Sequence, residues 1–223
     1  MAGKLGEQAM RIADIVAVTA LLCGSAALAD NAGLPPNRSA GLPDDKPQLA
    51  KHSMFDAVVL GKFRVVFEKT TLAEVAAKAG GGRIKHRGDA GESEYWLCYR
   101  FNEGRATREV SVTASGEMGG PDHAVGSVVV KDKASGETDC PYLPAKLLPV
   151  KTDLGLGLGA RLEDFLRPLG KPVWYDRNSA MWMLERQTHL AGSPEAWSVS
   201  QSIKVEFHDG KAATLSLDQV TSN

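Results

Sequence analysis

Two segments of the chain carry the hydrophobic spacing of short amphipathic helices. The first begins at Thr71, a favourable N-cap residue with Glu74 three positions later, and ends at Gly80. Its apolar positions, which share one helix face, are Leu72, Val75, Ala76 and Ala79. The second shows the same spacing about 90 residues later and ends at Gly170. Its apolar positions are Leu162, Phe165, Leu166 and Leu169.

Runs of apolar and β-branched residues follow each helix and predict strands. After the first helix they cover residues 95–99, 109–113 and 127–131, and after the second 181–184, 202–207 and 213–217. Residues 63–67 predict a further strand before the first helix, and residues 147–150 one before the second. Strands that follow one helix in a run favour antiparallel pairing. We therefore expect an α+β fold of two tandem units, each with one helix packed on a small antiparallel sheet.

The N-terminus has the three parts of a secretory signal peptide. Lys4 and Arg11 precede an apolar run at 15–22, and Ala27-Leu28-Ala29 forms a cleavage site. An uncleaved anchor is the alternative, but the apolar segment is shorter than the ~20 residues that span a bilayer. We predict a signal peptide over 1–29, a flexible leader over 30–57, a first unit over 58–140 and a second over 141–223.

Cysteine usage agrees with export. Cys23 lies in the predicted signal peptide, so the mature chain retains Cys98 and Cys140. An even pair in an oxidising compartment predicts a disulfide, with two buried free thiols as the alternative. We expect a periplasmic or secreted protein without stable membrane insertion after cleavage.

Composition and charge narrow the classes of partner. The chain is 43% hydrophobic and 24% charged, which is ordinary for a globular protein. Its formal net charge of -1 argues against nucleic acid as a partner.

Motifs for catalysis, metals and cofactors are absent from the sequence. It contains neither the G-x-S-x-G of many serine hydrolases nor the H-E-x-x-H of zinc peptidases. The glycine-rich run at 155–159 lacks the spacing and the lysine of phosphate-binding loops. We expect no catalytic residues, no metal site and no cofactor.

Two groups of residues are candidates for binding. The aromatic side chains of Trp174, Tyr175 and Trp197 lie in polar or loop-like stretches and are typical interface anchors. The alternative is that the tryptophans fold back onto the sheet. The cations Arg83, Lys85 and Arg87 follow the Gly80–Gly82 run and form a candidate anion site, with a solvated loop as the alternative.

The helix 162–166 with its ending at 169–172, and the hairpin at 205–211, carry a resemblance to known proteins. A helix followed by an antiparallel sheet, repeated after a signal peptide, resembles the β-lactamase-inhibitor-protein-like architecture. It is also similar to the small outer-membrane assembly lipoproteins of the SmpA/OmlA type, although this chain has no lipidation cysteine. The resemblance covers about residues 58–220. It implies protein binding through a sheet surface.

These observations favour an exported, non-enzymatic interaction module that binds a protein or a cell-envelope component through a sheet surface. Two alternatives remain open. One is a hydrolase of an envelope polymer whose active site follows no known motif. The other is a carrier of a small ligand or lipid.

Overall fold

The structure is a computed structural model that describes residues 48–49, 54–89, 93–115, 123–134, 139–189 and 194–222. The predicted signal peptide, including Cys23, lies outside these residues, as does most of the predicted leader. Met54 and Phe55, near the end of that leader, pack in the hydrophobic core. Over the described ranges, no helix is both long enough and apolar enough to cross a bilayer.

Twelve strands and two helices make up the described part of the chain. In chain order they are β1 (Gln48–Leu49), β2 (Ala57–Leu60), β3 (Phe63–Val66), α1 (Leu72–Ala79), β4 (Lys85–Arg87), β5 (Glu94–Glu103), β6 (Ala106–Ser115), β7 (Ser127–Lys131), β8 (Val150–Thr152), α2 (Leu162–Leu169), β9 (Trp174–Tyr175), β10 (Ser179–His189), β11 (Ala196–His208) and β12 (Lys211–Ser222). A turn of 3-10 helix at Ala145–Leu147 precedes β8. The sequence predicts a strand over residues 147–150, but of these residues only Val150 belongs to a strand, β8.

Both predicted helices are confirmed, and each has a local physical cause. At α1, the Glu74 N–H donates to Thr71 Oγ1 (3.2 Å) and the Thr71 N–H donates to the Glu74 carboxylate (2.8 Å), which completes the capping box. At α2, Phe165 is fully buried and its ring lies 5.8 Å from that of Trp182. The indole N–H of Trp182 donates to the carbonyl of Gly170 (2.9 Å), which holds the helix end on the sheet.

Nine of the strands form one large sheet in the order β1-β10-β11-β12-β7-β6-β5-β4, with β9 also paired to β10. All neighbours are antiparallel except β1 and β10, which are parallel. The other three strands form a small antiparallel sheet in the order β3-β2-β8. One hydrophobic core contains residues of both sheets and both helices.

The two faces of the large sheet differ in composition. On β11, Val199, Gln201, Ile203 and Val205 are buried, while the residues between them are half-buried or exposed. The buried set belongs to the side that contacts the helices and the small sheet, which we call the core face. The opposite side we call the open face. Among its described residues, only Cys98 and Glu109 are buried.

The expectation of an α+β fold with two helix-on-sheet units is wrong. The structure is mostly β, with 53% strand and 13% helix. Strands β7 and β12, which come from different halves of the chain, pair over five residues from Ser127↔Asp218 to Lys131↔Thr214. They join the strands of both halves into one sheet, so neither helix covers a sheet of its own.

The strands are also longer than the apolar runs that indicated them. β11 has 13 residues and β12 has 12, because serine and threonine continue the alternation beyond the apolar positions. The helices have only eight residues each, which is too short to cover such strands. The small sheet fills part of the remaining core face with Val58, Leu60 and Val65.

A polar network connects the turn after β3 to the large sheet. The Glu68 carboxylate accepts hydrogen bonds from the Thr221 N–H (2.6 Å), the Thr221 hydroxyl (2.5 Å) and the Gln219 amide (2.7 Å). Gln219 accepts from Gln201 (2.7 Å), which also donates to the Phe55 carbonyl (2.6 Å). Glu68 has a φ of 57°, a left-handed conformation that costs energy outside glycine. The carboxylate contacts therefore hold this turn in place.

We predict that Glu68→Ala lowers the free energy of unfolding by about 2–4 kcal/mol, because three donors lose a charged acceptor. Urea denaturation of both proteins measures this difference. Glu206→Ala is the control, since Glu206 is exposed on β11 and Lys204 is its one ion-pair partner among the described residues (3.1 Å). We expect the control to stay within about 0.5 kcal/mol of the parent. Equal losses in the two variants would contradict the role given to the network.

Candidate functional site

The centre of the open face is lined by small hydroxyl side chains. Those on β6, β7, β11 and β12 are Ser111, Thr113, Ser127, Ser200, Ser202, Thr214 and Ser216. The register aligns several of them in one row across the sheet, through Ser202, Asp218, Ser127 and Thr113. The Ser202 hydroxyl donates to the Asp218 carboxylate (3.2 Å) within this row.

Larger side chains stand on either side of these hydroxyls. On one side Met181 and Met183 of β10 lie on the open face, and Trp174 of β9 lies opposite Met181. On the other side Trp96 and Arg100 of β5 lie on the same face. Between Met183 and Trp96, the row through Ser202, Asp218, Ser127 and Thr113 has shorter side chains than its two ends, and Lys204 and Glu206 of β11 lie in neighbouring rows of the same face. We call this surface, from β10 to β5, the hydroxyl groove.

The groove is wide enough for a protein segment. Strands β10 and β5 are five strand spacings apart, or roughly 24 Å in a flat sheet. Towards its β5 side, Glu109 of β6 is 3% exposed and lies between Arg100 and Lys131 in the register, so other side chains cover it. An α-helix of ~10–12 Å diameter or a pair of extended strands fits between the two sides.

The three aromatic residues predicted to bind a partner do not form one patch. Trp174 lies on the open face beside Met181, but Tyr175 lies opposite Ala180 and packs against the core. Trp197 lies on the core face, as Val199 does. Along β11 it is seven residues, or roughly 23 Å, from Lys204, the residue that pairs with Met181 at the groove. Only Trp174 belongs to the hydroxyl groove.

The three cations predicted to bind an anion lie at the opposite edge of the sheet from Trp174, and two of them have carboxylate partners. Lys85 Nζ lies 2.7 Å from Asp139 Oδ1, and this hydrogen bond is the main cause that lowers the pKa of Asp139. Arg87 pairs with Glu94 and lies over the ring of Trp96, 5.7 Å from its centre. Arg83 is exposed. The cluster is thus largely neutralised within the protein.

The predicted disulfide between Cys98 and Cys140 is confirmed, with a sulfur–sulfur distance of 2.03 Å. Such a bond is compatible with an oxidising, exported environment. Next to it, the backbone N–H of Arg100 donates to the carbonyl of Pro141 (2.8 Å), and the backbone N–H of Leu143 donates to the carbonyl of Arg100 (2.7 Å). The disulfide and these bonds fix the chain around Asp139 at the edge of β5, within reach of Lys85.

We predict that reduction of this disulfide lowers the free energy of unfolding by about 4 kcal/mol, the chain-entropy value for a separation of 42 residues. Urea denaturation with and without dithiothreitol measures the effect. The Cys98→Ala/Cys140→Ala variant is the control, because reductant has no bond to break in it. A parent protein that is as stable with reductant as without it would contradict the prediction.

The glycines between α1 and the basic cluster have a packing requirement. The Tyr99 hydroxyl donates to the Gly81 carbonyl (2.9 Å), and a Cβ at Gly82 would lie 2.5 Å from that hydroxyl. Gly82 has a φ of 139°, which also disfavours other residues. Burial raises the pKa of Tyr99 to about 12. The phenol therefore stays protonated in the folded protein at pH values where it ionises in the unfolded chain.

Because the folded state holds the Tyr99 proton more tightly than the unfolded chain does, the raised pKa contributes to the free energy of unfolding. That contribution is complete below pH 10 and is lost as the pH rises towards 12. We predict a loss of roughly 2–3 kcal/mol across this interval. Urea denaturation at several alkaline pH values tests it, with Tyr99→Phe as the control that lacks this loss. Parallel pH profiles for the two proteins would show that Tyr99 is not its cause.

The histidines and acidic residues do not assemble a metal site within the described ranges, where no three His, Cys, Asp or Glu side chains are placed to hold an ion. His86 stacks on Tyr95 with ring centres 4.3 Å apart, and its Nε2 lies 3.4 Å from Ser93 Oγ. His208 contacts the neighbouring Asp209 (3.2 Å). Each of these contacts is a local one between side chains.

Sequence reasoning missed Met181, Met183 and the hydroxyl residues of the groove. A signal existed, since serines alternate with buried residues along 198–205, but alternation alone does not show which strands are neighbours. The resemblance to β-lactamase-inhibitor-like and SmpA/OmlA-type proteins stays a prediction. Comparison of the chain with protein-family models, curated protein sequences and solved structures finds no match.

Proposed function

We propose that this chain is an exported, non-enzymatic interaction module that binds a protein of the cell envelope in the hydroxyl groove. The observation that carries the proposal is the asymmetry of the large sheet. Both helices and the small sheet pack into the core on one face, while the other face presents rows of short polar side chains with larger side chains at their ends. The proposal of export rests on the N-terminal signal features and agrees with the disulfide.

The side chains at the two sides of the groove suit a protein partner. Trp174 supplies a large amphipathic surface of the kind that dominates interface energetics. Met181 and Met183 are flexible and polarizable, so they adapt to an irregular apolar surface. The short hydroxyls between β10 and β5 allow a partner's backbone to approach and can both donate and accept hydrogen bonds.

The size of the groove supports the same conclusion. The groove is roughly 24 Å wide, and its length runs from roughly 17 Å along the five residues of β7 to roughly 33 Å along the ten residues of β5 and of β6. The resulting area of roughly 400–800 Å² reaches, at its upper end, what one partner contributes to a standard protein–protein interface.

Two carboxylates on this face have hydrogen-bond partners in the protein, which favours binding over hydrolysis. Glu185 accepts from the Ser198 hydroxyl (2.6 Å) and Asp218 accepts from the Ser202 hydroxyl (3.2 Å). An acid–base pair for hydrolysis would instead direct its carboxylates at a substrate. These two side chains organise the surface of the sheet.

The test starts from the full chain, exported with its disulfide intact and immobilised, and from an envelope extract of its own organism. The protein that it retains in stoichiometric amount is then purified, and its Kd is measured for the parent and for variants. We expect Trp174→Ala to weaken binding by about 30-fold, which corresponds to about 2 kcal/mol.

Trp197→Ala is the matched control, because Trp197 lies on the core face and far from the groove. We expect its Kd to stay within about threefold of the parent's, provided that circular dichroism shows both variants folded. Equal losses in both variants, or no effect of Trp174→Ala, would place the interface elsewhere. Retention of a polysaccharide in place of a protein would overturn the choice of partner.

A further inference from the structure

A cleft of about 320 Å³ lies at the end of the large sheet, beside the hairpin between β11 and β12. Four separate parts of the chain form it: the start of β6, the residue after β7, the glycine-rich loop before α2, and the hairpin itself. Residues that line it include Arg108, Asp132, Gly159, His208, Asp209 and Lys211. Five of these six carry ionisable side chains, so the cleft is a polar one.

Two of the basic residues have acidic neighbours in the protein. Arg108 pairs with Glu103 of β5, and His208 Nδ1 lies 3.2 Å from Asp209 Oδ2. Two ionisable residues of the wall then remain, Lys211 and Asp132. Neither forms an ion pair with any described residue, although both line the same cleft and carry opposite charges.

Two unpaired opposite charges that line one small cleft match a ligand that carries both charges. The volume is that of about ten water molecules at ~30 Å³ each, enough for a ligand of amino-acid or dipeptide size. Arg108 Nε is buried and has no hydrogen-bond partner among the described residues. Gly159 adds no side chain to the wall, and its φ of 79° disfavours any other residue there.

We propose that this cleft binds a small zwitterion, an α-amino acid or a short peptide with both ends free. Lys211 binds the ligand's carboxylate and Asp132 its ammonium group, and both contacts are charge-assisted hydrogen bonds. The cleft lies at the strand ends, while the hydroxyl groove lies on the open face. Binding in one can therefore fail without affecting the other.

Isothermal titration of the full, disulfide-intact chain tests the proposal with four probes. Alanyl-alanine carries both charges, N-acetyl-alanine only the negative one, alaninamide only the positive one, and inorganic phosphate is an unrelated anion. We expect alanyl-alanine to bind with a Kd of about 1 mM or tighter, and each of the other three to bind at least about tenfold more weakly.

Substitutions of Lys211 and Asp132 test whether the ligand binds in this cleft. Lys211→Met and Asp132→Asn should each weaken alanyl-alanine binding by about tenfold, because each removes one charge partner. Lys204→Met, a lysine on the open face of β11, is the matched control and should bind like the parent. A folded parent that shows no binding at about 10 mM alanyl-alanine would overturn the proposal. Equally tight binding of N-acetyl-alanine or phosphate would also overturn it, since the site would then be one for anions.

Discussion

The pairing of β7 with β12 is the contact on which the rest of the structure depends. It joins strands from the two halves of the chain, so that β4–β7 and β9–β12 form one sheet and not two. Without it, both strands would be sheet edges with unpaired backbone groups. The hydroxyl groove also depends on it, because Ser216 and Val129 meet in the middle of the open face through this pairing. The functional proposal is therefore a consequence of how the halves are joined.

A sheet of this width needs more cover than two eight-residue helices supply. The small sheet provides it, and Glu68 ties the turn that follows β3 to the far end of β12 through Thr221 and Gln219. The helices and the small sheet cover one face of the large sheet, which is why the two faces differ in composition. The core face buries valine, leucine and aromatic side chains, while the open face keeps serine and threonine, whose hydroxyls remain available for hydrogen bonds.

Features set by neighbouring residues were predictable from the sequence. The capping box of Thr71 and Glu74, the end of α2 at Gly170 and the cores of the long strands all follow from local spacing. The Cys98–Cys140 pair followed from the count of cysteines. The partner of β7 did not, because Val129 and Ser216 are far apart in the chain and alternation fits many neighbours equally well. The position of Trp174 on one face and Trp197 on the other depends on how β9, β10 and β11 pair, which the sequence does not show, so the aromatic residues were identified but their faces were not predicted.

Nuclear Overhauser spectroscopy of the isotope-labelled chain shows whether β7 and β12 are neighbours in one sheet. We expect cross-strand contacts between the backbone protons of Val129 and Ser216 and between those of Val130 and Leu215. We also expect slow amide exchange for both strands, because both lie in the interior of the sheet. Fast exchange along β7 and β12, with no contacts between them, would show two separate sheets and would remove the hydroxyl groove.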